Sequence, residues 1–280
     1  MAKTPWQLGD RRLEWGQRTY LMAVLNVTPD SFSDGGQFYS VERALAKVEA
    51  IAAATDILDI GGESTRPGAT PVAVEEELAR VIPVIRAVRA RHPHLLISID
   101  TTKAVVAEAA LAAGANILND VSAGRDDPQM LPLAAQTQAP IVLMHRQGKP
   151  ATMQQNPQYR DVVAEVRQFL TDAQTMAKAL GIAAMAVDPG IGFGKTLEHN
   201  LALLRRLPDL QTLEAPVLVG VSRKSFLGTL CDRPQPADRV WGTAAACTAA
   251  IAGGADILRV HDVWEMRDVC RVADALYRRA

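Results

Sequence analysis

Apolar and polar residues alternate in blocks along this chain, and the blocks repeat. Residues 21–25 form an unbroken apolar run, as expected of a strand buried on both faces. Val41, Leu45, Val48 and Ile51 follow at helical spacing, which predicts a helix over 40–54 with Ser40 as its N-cap. The alternation continues with strands at 57–60, 95–99 and 117–118, followed by helices at 74–91, 103–113 and 129–136. Pro83 marks a kink in the first of those helices. Strands at 141–144, 185–187, 217–221 and 257–260 complete the series, with helices at 162–180, 197–207, 240–252 and 263–279.

Eight strand–helix units in succession predict a parallel sheet closed into a (β/α)8 TIM barrel. An open, doubly wound sheet built from the same units is the alternative. Ahead of them, residues 6–8 and 12–15 flank Gly9-Asp10, a signal for a short N-terminal β-hairpin that would act as a lid over one end of the barrel. No linker-like or low-complexity tract divides the chain, so residues 1–280 read as a single domain.

Composition narrows the function classes. The formal net charge is -1, which gives no global field for nucleic acid or an acidic lipid surface. The first residues lack the apolar core of a signal peptide, and no apolar run is long enough to cross a bilayer without charges. Cys231, Cys247 and Cys270 have no metal-ligand or redox spacing, and the last two sit in apolar helical context that suits packing. The expectation is a cytoplasmic protein with neither nucleic-acid nor membrane partners.

The candidate chemistry lies where the strands end. Asn26, Glu63, Asp100, Asn119, His145, Asp188, Lys224, Arg259 and His261 all follow or close an apolar run. Asp100-Thr101-Thr102 alone could merely start a helix. Together these residues mostly precede the cap positions, and a barrel enzyme builds its site on the loops that follow the strands. Closure would bring Arg259 and His261 beside Asn26, with Arg66 and the Arg223-Lys224 pair on the same face as a positive pole. Asp100, Asn119 and Asp188 would lie opposite, as acceptors for a donor-rich heterocycle. The inferred ligand is bipolar, an anion at one end and a hydrogen-bonding ring at the other.

Three other segments bear on the site. The polar loop from Thr28 to Gly36 reads either as part of it or as a surface connection, and the long connection 146–161 is a candidate functional loop. Asp188-Pro-Gly-Ile-Gly-Phe-Gly-Lys-Thr resembles a nucleotide loop but has Pro189 and Lys195 where phosphate and dinucleotide fingerprints need glycine. Its alternate glycines would let backbone pass close to a flat ligand with Phe193 as a wall, or simply make a tight turn. His92 and His94 read as solvated, and His199 as a helix cap or a solvent-facing residue. No Ser-His-Asp pattern or zinc spacing appears, so no protein nucleophile is expected.

These residues carry a family resemblance over nearly the whole chain. Asn26-Val-Thr-Pro-Asp-Ser-Phe-Ser-Asp-Gly-Gly36, Gly61-Gly-Glu-Ser-Thr-Arg-Pro-Gly68, Ile99-Asp-Thr101, Asn119-Asp-Val121, Met144-His145, Asp188-Pro-Gly-Ile-Gly-Phe-Gly-Lys195, Ser222-Arg-Lys-Ser225 and Arg259-Val-His-Asp262 resemble the motifs of the dihydropteroate synthases. The resemblance implies a (β/α)8 barrel that joins 6-hydroxymethyl-7,8-dihydropterin diphosphate to 4-aminobenzoate in folate synthesis. It implies that Asp100, Asn119, Asp188 and Lys224 hold the pterin, with Met144 and Gly220 as further substrate contacts. Asn26, Arg259 and His261 would hold the diphosphate, Asn26 also meeting Mg2+. Thr65, Arg66, Pro67, Phe193, Lys224 and Ser225 would surround the aminobenzoate.

The implied mechanism is dissociative and assisted by Mg2+, with Asp100, Lys224, Asn26, Arg259 and His261 as the catalytic set. Residues 28–36 become a lid that orders with the second loop over diphosphate and metal. A homodimer built from barrel helices and inhibition by sulfonamides are further expectations of the resemblance. Arg146 departs from it, standing where many relatives are apolar, and would either charge the pterin rim or point to solvent. A pterin-binding methyltransferase with a corrinoid partner would not need the aminobenzoate loop. A non-catalytic pterin-binding paralogue would be expected to lose Asn26, Arg66 or Lys224, and all three are present.

Overall fold

The structure, a computed structural model, describes residues 3–28, 36–64 and 68–278, and only the backbone of 36–40. Residues 29–35 of the expected lid at 28–36, and the expected aminobenzoate contacts Thr65, Arg66 and Pro67, lie outside the described residues.

Strands β1 (Trp6–Leu8) and β2 (Arg11–Leu13) pair antiparallel, with Trp6 opposite Leu13, and form the N-terminal hairpin. Eight parallel strands follow: β3 (Tyr20–Asn26), β4 (Ile57–Gly61), β5 (Leu96–Asp100), β6 (Ile117–Asp120), β7 (Ile141–Met144), β8 (Met185–Asp188), β9 (Leu218–Val219) and β10 (Ile257–Val260). Strands β3 to β8 pair in chain order, while β3 pairs on its other side with β10, and β10 with β9. The remaining seam, between β8 and β9, closes through the Val187–Val217 bridge, where Val187 N–H donates to Pro216 O at 2.9 Å. The sheet is therefore a barrel, not an open doubly wound sheet.

Helices α1 (Gly36–Ile51), α2 (Val74–Arg91), α3 (Ala104–Ala112), α4 (Met130–Thr137), α5 (Val162–Ala179), α6 (Leu197–Arg205), α7 (Ser225–Cys231), α8 (Val240–Ala252) and α9 (Val263–Tyr277) connect and cover the strands. Two sequence expectations change. The first helix starts at Gly36, so Ser40 lies inside it and not at its cap. The expected strand at 217–221 is regular over only Leu218–Val219, with Val217 in a single bridge to Val187, because the chain turns soon after: Lys224 N–H donates to Val221 O, and Arg223 adopts a left-handed φ of 59°. The extra helix α7 follows that turn. Helix α2 runs unbroken through Pro83.

Side-chain alternation along the strands divides the core. Outward-facing Leu21, Leu58, Ile97, Leu118, Leu143, Val187 and Val260 pack with the helices in the main core. Inward-facing Met22, Ile57, Leu96, Ile117, Val142, Ala186, Leu218 and Ile257 form an apolar floor together with Trp6, Leu8 and Leu13 of the hairpin. The hairpin thus plugs the barrel at the end where the strands begin, as the sequence led us to expect. Cys247 and Cys270 are buried, and Cys231 is exposed. Among the described residues no helix is long and apolar enough to cross a membrane.

Candidate active site

Two residues beyond the apolar floor, the same inward-facing register changes character. Ile57 is succeeded by Asp59, Leu96 by Ser98 and then Asp100, Ile117 by Asn119, Ala186 by Asp188, and Ile257 by Arg259. The period of two thus places one polar ring inside the mouth at the strands' C-terminal end, where barrel enzymes do their chemistry.

Arg259 crosses the middle of that ring. Its Nε donates to Asp59 Oδ2 and its Nη2 to Asp100 Oδ2, both at 2.6 Å. The two expected poles therefore meet: Arg259 lies between the carboxylates and does not face Asp100 across the barrel. Burial would lower the Arg259 pKa, but Asp59 and Asp100 outweigh it and raise it, so the guanidinium stays charged. One cation facing two buried carboxylates cannot satisfy both. Burial pushes the Asp100 carboxyl up to about 7, and negative Asp59 adds to the rise against the pull of Arg259.

Asp59 was absent from the sequence-predicted site. Its signal was a carboxylate at an inward position of an otherwise apolar strand. Its Oδ2 also accepts from Asn119 Nδ2 at 3.0 Å. Asp59 Oδ1, Asp100 Oδ1 and Ser98 Oγ are buried without a hydrogen-bond partner among the described residues. Unmet acceptors in a buried mouth favour a ligand rich in N–H donors.

Asp188 ends β8, and its Oδ1 accepts from Gly190 N–H at 2.7 Å. Burial raises its carboxyl to about 6, opposed by that hydrogen bond and by Lys224, Lys195 and Arg259. Beside it Val121, Met144, Met153 and Phe193 form a separate apolar cluster. The Lys224 ammonium lies 4.1 Å from the centre of the Phe193 ring. The mouth thus joins a wall of carboxylates and an amide to an apolar slot, the complement of a flat polar heterocycle.

The positive pole is weaker than its residue types suggested. Arg223 makes a two-point ion pair with Asp262, its Nε 3.0 Å from Oδ2. His261 is neutral: burial pushes it down to about 3, reinforced by Arg259, Arg223 and Lys47. Ser222 Oγ accepts from His261 N–H and lies 3.1 Å from Nδ1. In the tautomer in which the Ser222 hydroxyl donates to Nδ1, the ring proton sits on Nε2 as a donor. Asn26 ends β3 half-buried beside Gly61. Ser225 is exposed at the start of α7, and a Cβ at Gly220 would come 3.8 Å from that of Arg259, an ordinary contact. Glycine there leaves open space that the protein could have filled.

Other singled-out residues have structural partners. Glu63 binds Lys103, which also holds Glu77 and donates its third hydrogen bond to Val72 O at 2.8 Å, so Glu63 anchors its loop. His145 turns away from the mouth toward Lys195. His199 completes a capping box with Thr196, as one of the two expectations had it. His94 is exposed, as expected, whereas His92 is half-buried near Glu49. Arg146 does neither of the things expected of it: its Nη2 reaches both Asp126 oxygens at 2.8 Å, and its Nε donates to Gly148 O. It ties the loop after β6 to the loop after β7.

A family model described as pterin binding enzyme matches residues 22–261. A dihydropteroate synthase of Synechocystis sp. is 51% identical over 277 residues, covering 98% of this chain and 96% of that protein. The chain belongs to the dihydropteroate synthases, pterin-binding enzymes of folate synthesis. The dihydropteroate synthase of Xanthomonas albilineans, solved with 4-aminobenzoic acid, is 45% identical, with a TM-score of 0.91 over 100% of both chains. That of Yersinia pestis, solved with a sulfonamide drug complex, is 41% identical, with a TM-score of 0.91 over 98% of this chain and 99% of that one. A dihydropteroate synthase must hold a pterin ring, and the polar ring and apolar slot described above are suited to one.

Proposed function

We propose that this enzyme joins 6-hydroxymethyl-7,8-dihydropterin diphosphate to 4-aminobenzoate, releasing diphosphate, by a dissociative reaction in the mouth of the barrel. The observation that carries the assignment of the site is the set of buried acceptors, Asp59, Asp100, Asn119 and Asp188, standing beside the apolar slot of Met144 and Phe193. A carboxylate presents two oxygens to two neighbouring N–H groups, the pattern on the amino-pyrimidinone edge of a pterin. Asp188 and Asn119 take that edge in this reading, and Lys224 and Gly220 flank the ring.

Arg259 and the His261 Nε2–H face the diphosphate as it leaves. The bond from the pterin methylene to the diphosphate oxygen breaks with its electron pair on oxygen. The methylene is left as a cation stabilised by the ring. The amine of 4-aminobenzoate then supplies its lone pair to form the C–N bond and loses one proton. Thr65, Arg66, Pro67, Phe193 and Ser225 are proposed to surround it. Asp100 is the carboxylate available to stabilise the developing positive charge, and positioning plus electrostatics carries the rate.

The residues fit Mg2+ only as an ion shared with the substrate. Among the described residues no group of three His, Cys, Asp or Glu could hold a metal by itself. Asn26 offers one amide oxygen at a strand end, which suits a hard cation whose other ligands are phosphate oxygens and water. The ion would neutralise charge on the departing diphosphate.

The deciding assay is product formation from both substrates, with and without a chelator. Asp100→Asn is expected to lower kcat about a hundredfold while pterin affinity changes severalfold at most. Equal losses in both would refute the charge-stabilising role, and pterin binding without any product would refute the reaction.

A further inference from the structure

The loop between β8 and α6 ends in a lysine that does not reach the mouth. Lys195 is 2% exposed, so its amine lies in the interior, where the ammonium form is costly unless its protons are accepted. Its three donors find three acceptors: Gly190 O at 2.9 Å, Phe193 O at 3.0 Å and His145 Nδ1 at 2.9 Å. Two belong to the lysine's own loop, and the third follows β7. None is a carboxylate. For core stability alone, an apolar side chain of the same length would serve as well or better.

The loop has reason to need an internal pin. Gly190, Gly192 and Gly194 all take positive φ, at 65°, 82° and 64°. A Cβ at 190 would come 1.9 Å from His145 O, and one at 194 would come 2.4 Å from Gln147 O. Glycine lets the loop lie flat on residues 145–147 but leaves its backbone with the widest conformational choice. Tyr159 OH donates to Gly194 O at 2.9 Å and Gln154 Oε1 accepts from Lys195 N–H at 3.1 Å, both from outside. Lys195 holds the inner side. Asp188 at the start of this loop and Phe193 within it are the groups whose positions it fixes.

We propose that Lys195 is a positioning residue whose buried amine clamps the carbonyls of Gly190 and Phe193 to the His145 ring, holding Asp188 and Phe193 in place for the two substrates. The effect on substrates rests on the site reading given under Proposed function, whereas the clamp itself does not. The charged groups around it are Asp188, which favours the ammonium, and Lys224, which opposes it. Burial lowers Lys195 to about 7. His145 is pushed down to about 2 by burial first, then by Lys195 and Arg125, which keeps Nδ1 free to accept.

Nitrogen-detected NMR of His145 in the wild-type enzyme tests the clamp directly. The ring is expected to stay neutral from pH 7.5 to 5 with Nδ1 unprotonated, and titration near 6.5 overturns the proposal. In Lys195→Met, the KM for both substrates is expected to rise about tenfold or more. Over the same change kcat should move by less than about threefold, and His145 should begin to titrate between pH 5 and 7. Unchanged KM values, or a fall in kcat alone, overturn the positioning role. Should Lys195→Met fail to fold, the wild-type His145 result decides. Asp188→Asn separates the two ideas: pterin binding equal to wild type would sink the site reading and leave the His145 result standing.

Discussion

Asp188 sits close to the boundary between its two charge states. Burial raises it to about 6, while Gly190 N–H and nearby cations hold it down. A ligand presenting N–H donors binds the carboxylate form, so protonation weakens binding. Calorimetric titration with pterin should show affinity falling by up to about tenfold per pH unit below about pH 6. The same titration of Asp188→Asn should be weak and flat across that window. A wild-type affinity constant from pH 7 to 5 would remove Asp188 from the pterin's partners. Arg146 teaches the opposite lesson at this scale. Its type and place near the mouth suggested either a charge on the pterin rim or a solvent-facing side chain, yet Asp126, twenty residues earlier, takes its Nη2 and Gly148 O takes its Nε. A side chain's partner is set by which loops the fold lays side by side, which chain distance does not reveal.

At the scale of elements, the hairpin and the β8–α6 loop do different work at opposite ends of one barrel. The hairpin closes the floor: Trp6 is 1% exposed, packs edge-on to Trp15 at 5.2 Å, and covers the inward layer of the strands. Trp6→Ala opens a large cavity there and should cost about 3–5 kcal/mol by denaturant unfolding. Because the mouth lies at the other end of the strands, KM and kcat of the folded variant should match wild type. Lost activity at full foldedness would contradict that division. Element types and order were legible because period-two and helical patterns are local properties. The two-residue β9 and helix α7 were not, since the run from Val217 to Val221 stays apolar beyond Val219, where the strand ends ahead of the left-handed turn at Arg223.

The molecule as a whole stores opposed titrations in its core. His145 and His261 are held neutral down to about 2 and about 3, whereas the unfolded chain protonates them near pH 6.5. Their share of stability is therefore present above pH 6.5 and is lost as pH falls toward 3. Asp100 and Asp188 are raised to about 7 and about 6, so the folded state takes up those protons first and gains stability as pH falls toward 4. Two protons oppose two between about pH 6 and 4, and the contribution of these four groups is nearly flat there. Below about pH 4 the carboxyl gain is complete, and the histidines alone cost about 3 kcal/mol per pH unit. Denaturant unfolding at half-unit steps should show a plateau and then a break. A steady decline from pH 6 would mean that the two carboxyls are not raised.

Taken alone, the sequence determined the barrel, its hairpin plug and the ring of polar strand ends, because alternation and helical spacing follow from local geometry. It also carried the family, through motifs long enough to be specific. Only the tertiary structure decided how those polar ends are paired. Arg259 lies between Asp59 and Asp100, Arg223 is paired with Asp262, His261 is neutral, and Lys195 grips its own loop. Pairing and burial depend on distances across the barrel, which bring together residues as far apart as 59 and 259. One-dimensional order names the groups in the site, and closure of the sheet sets their charge.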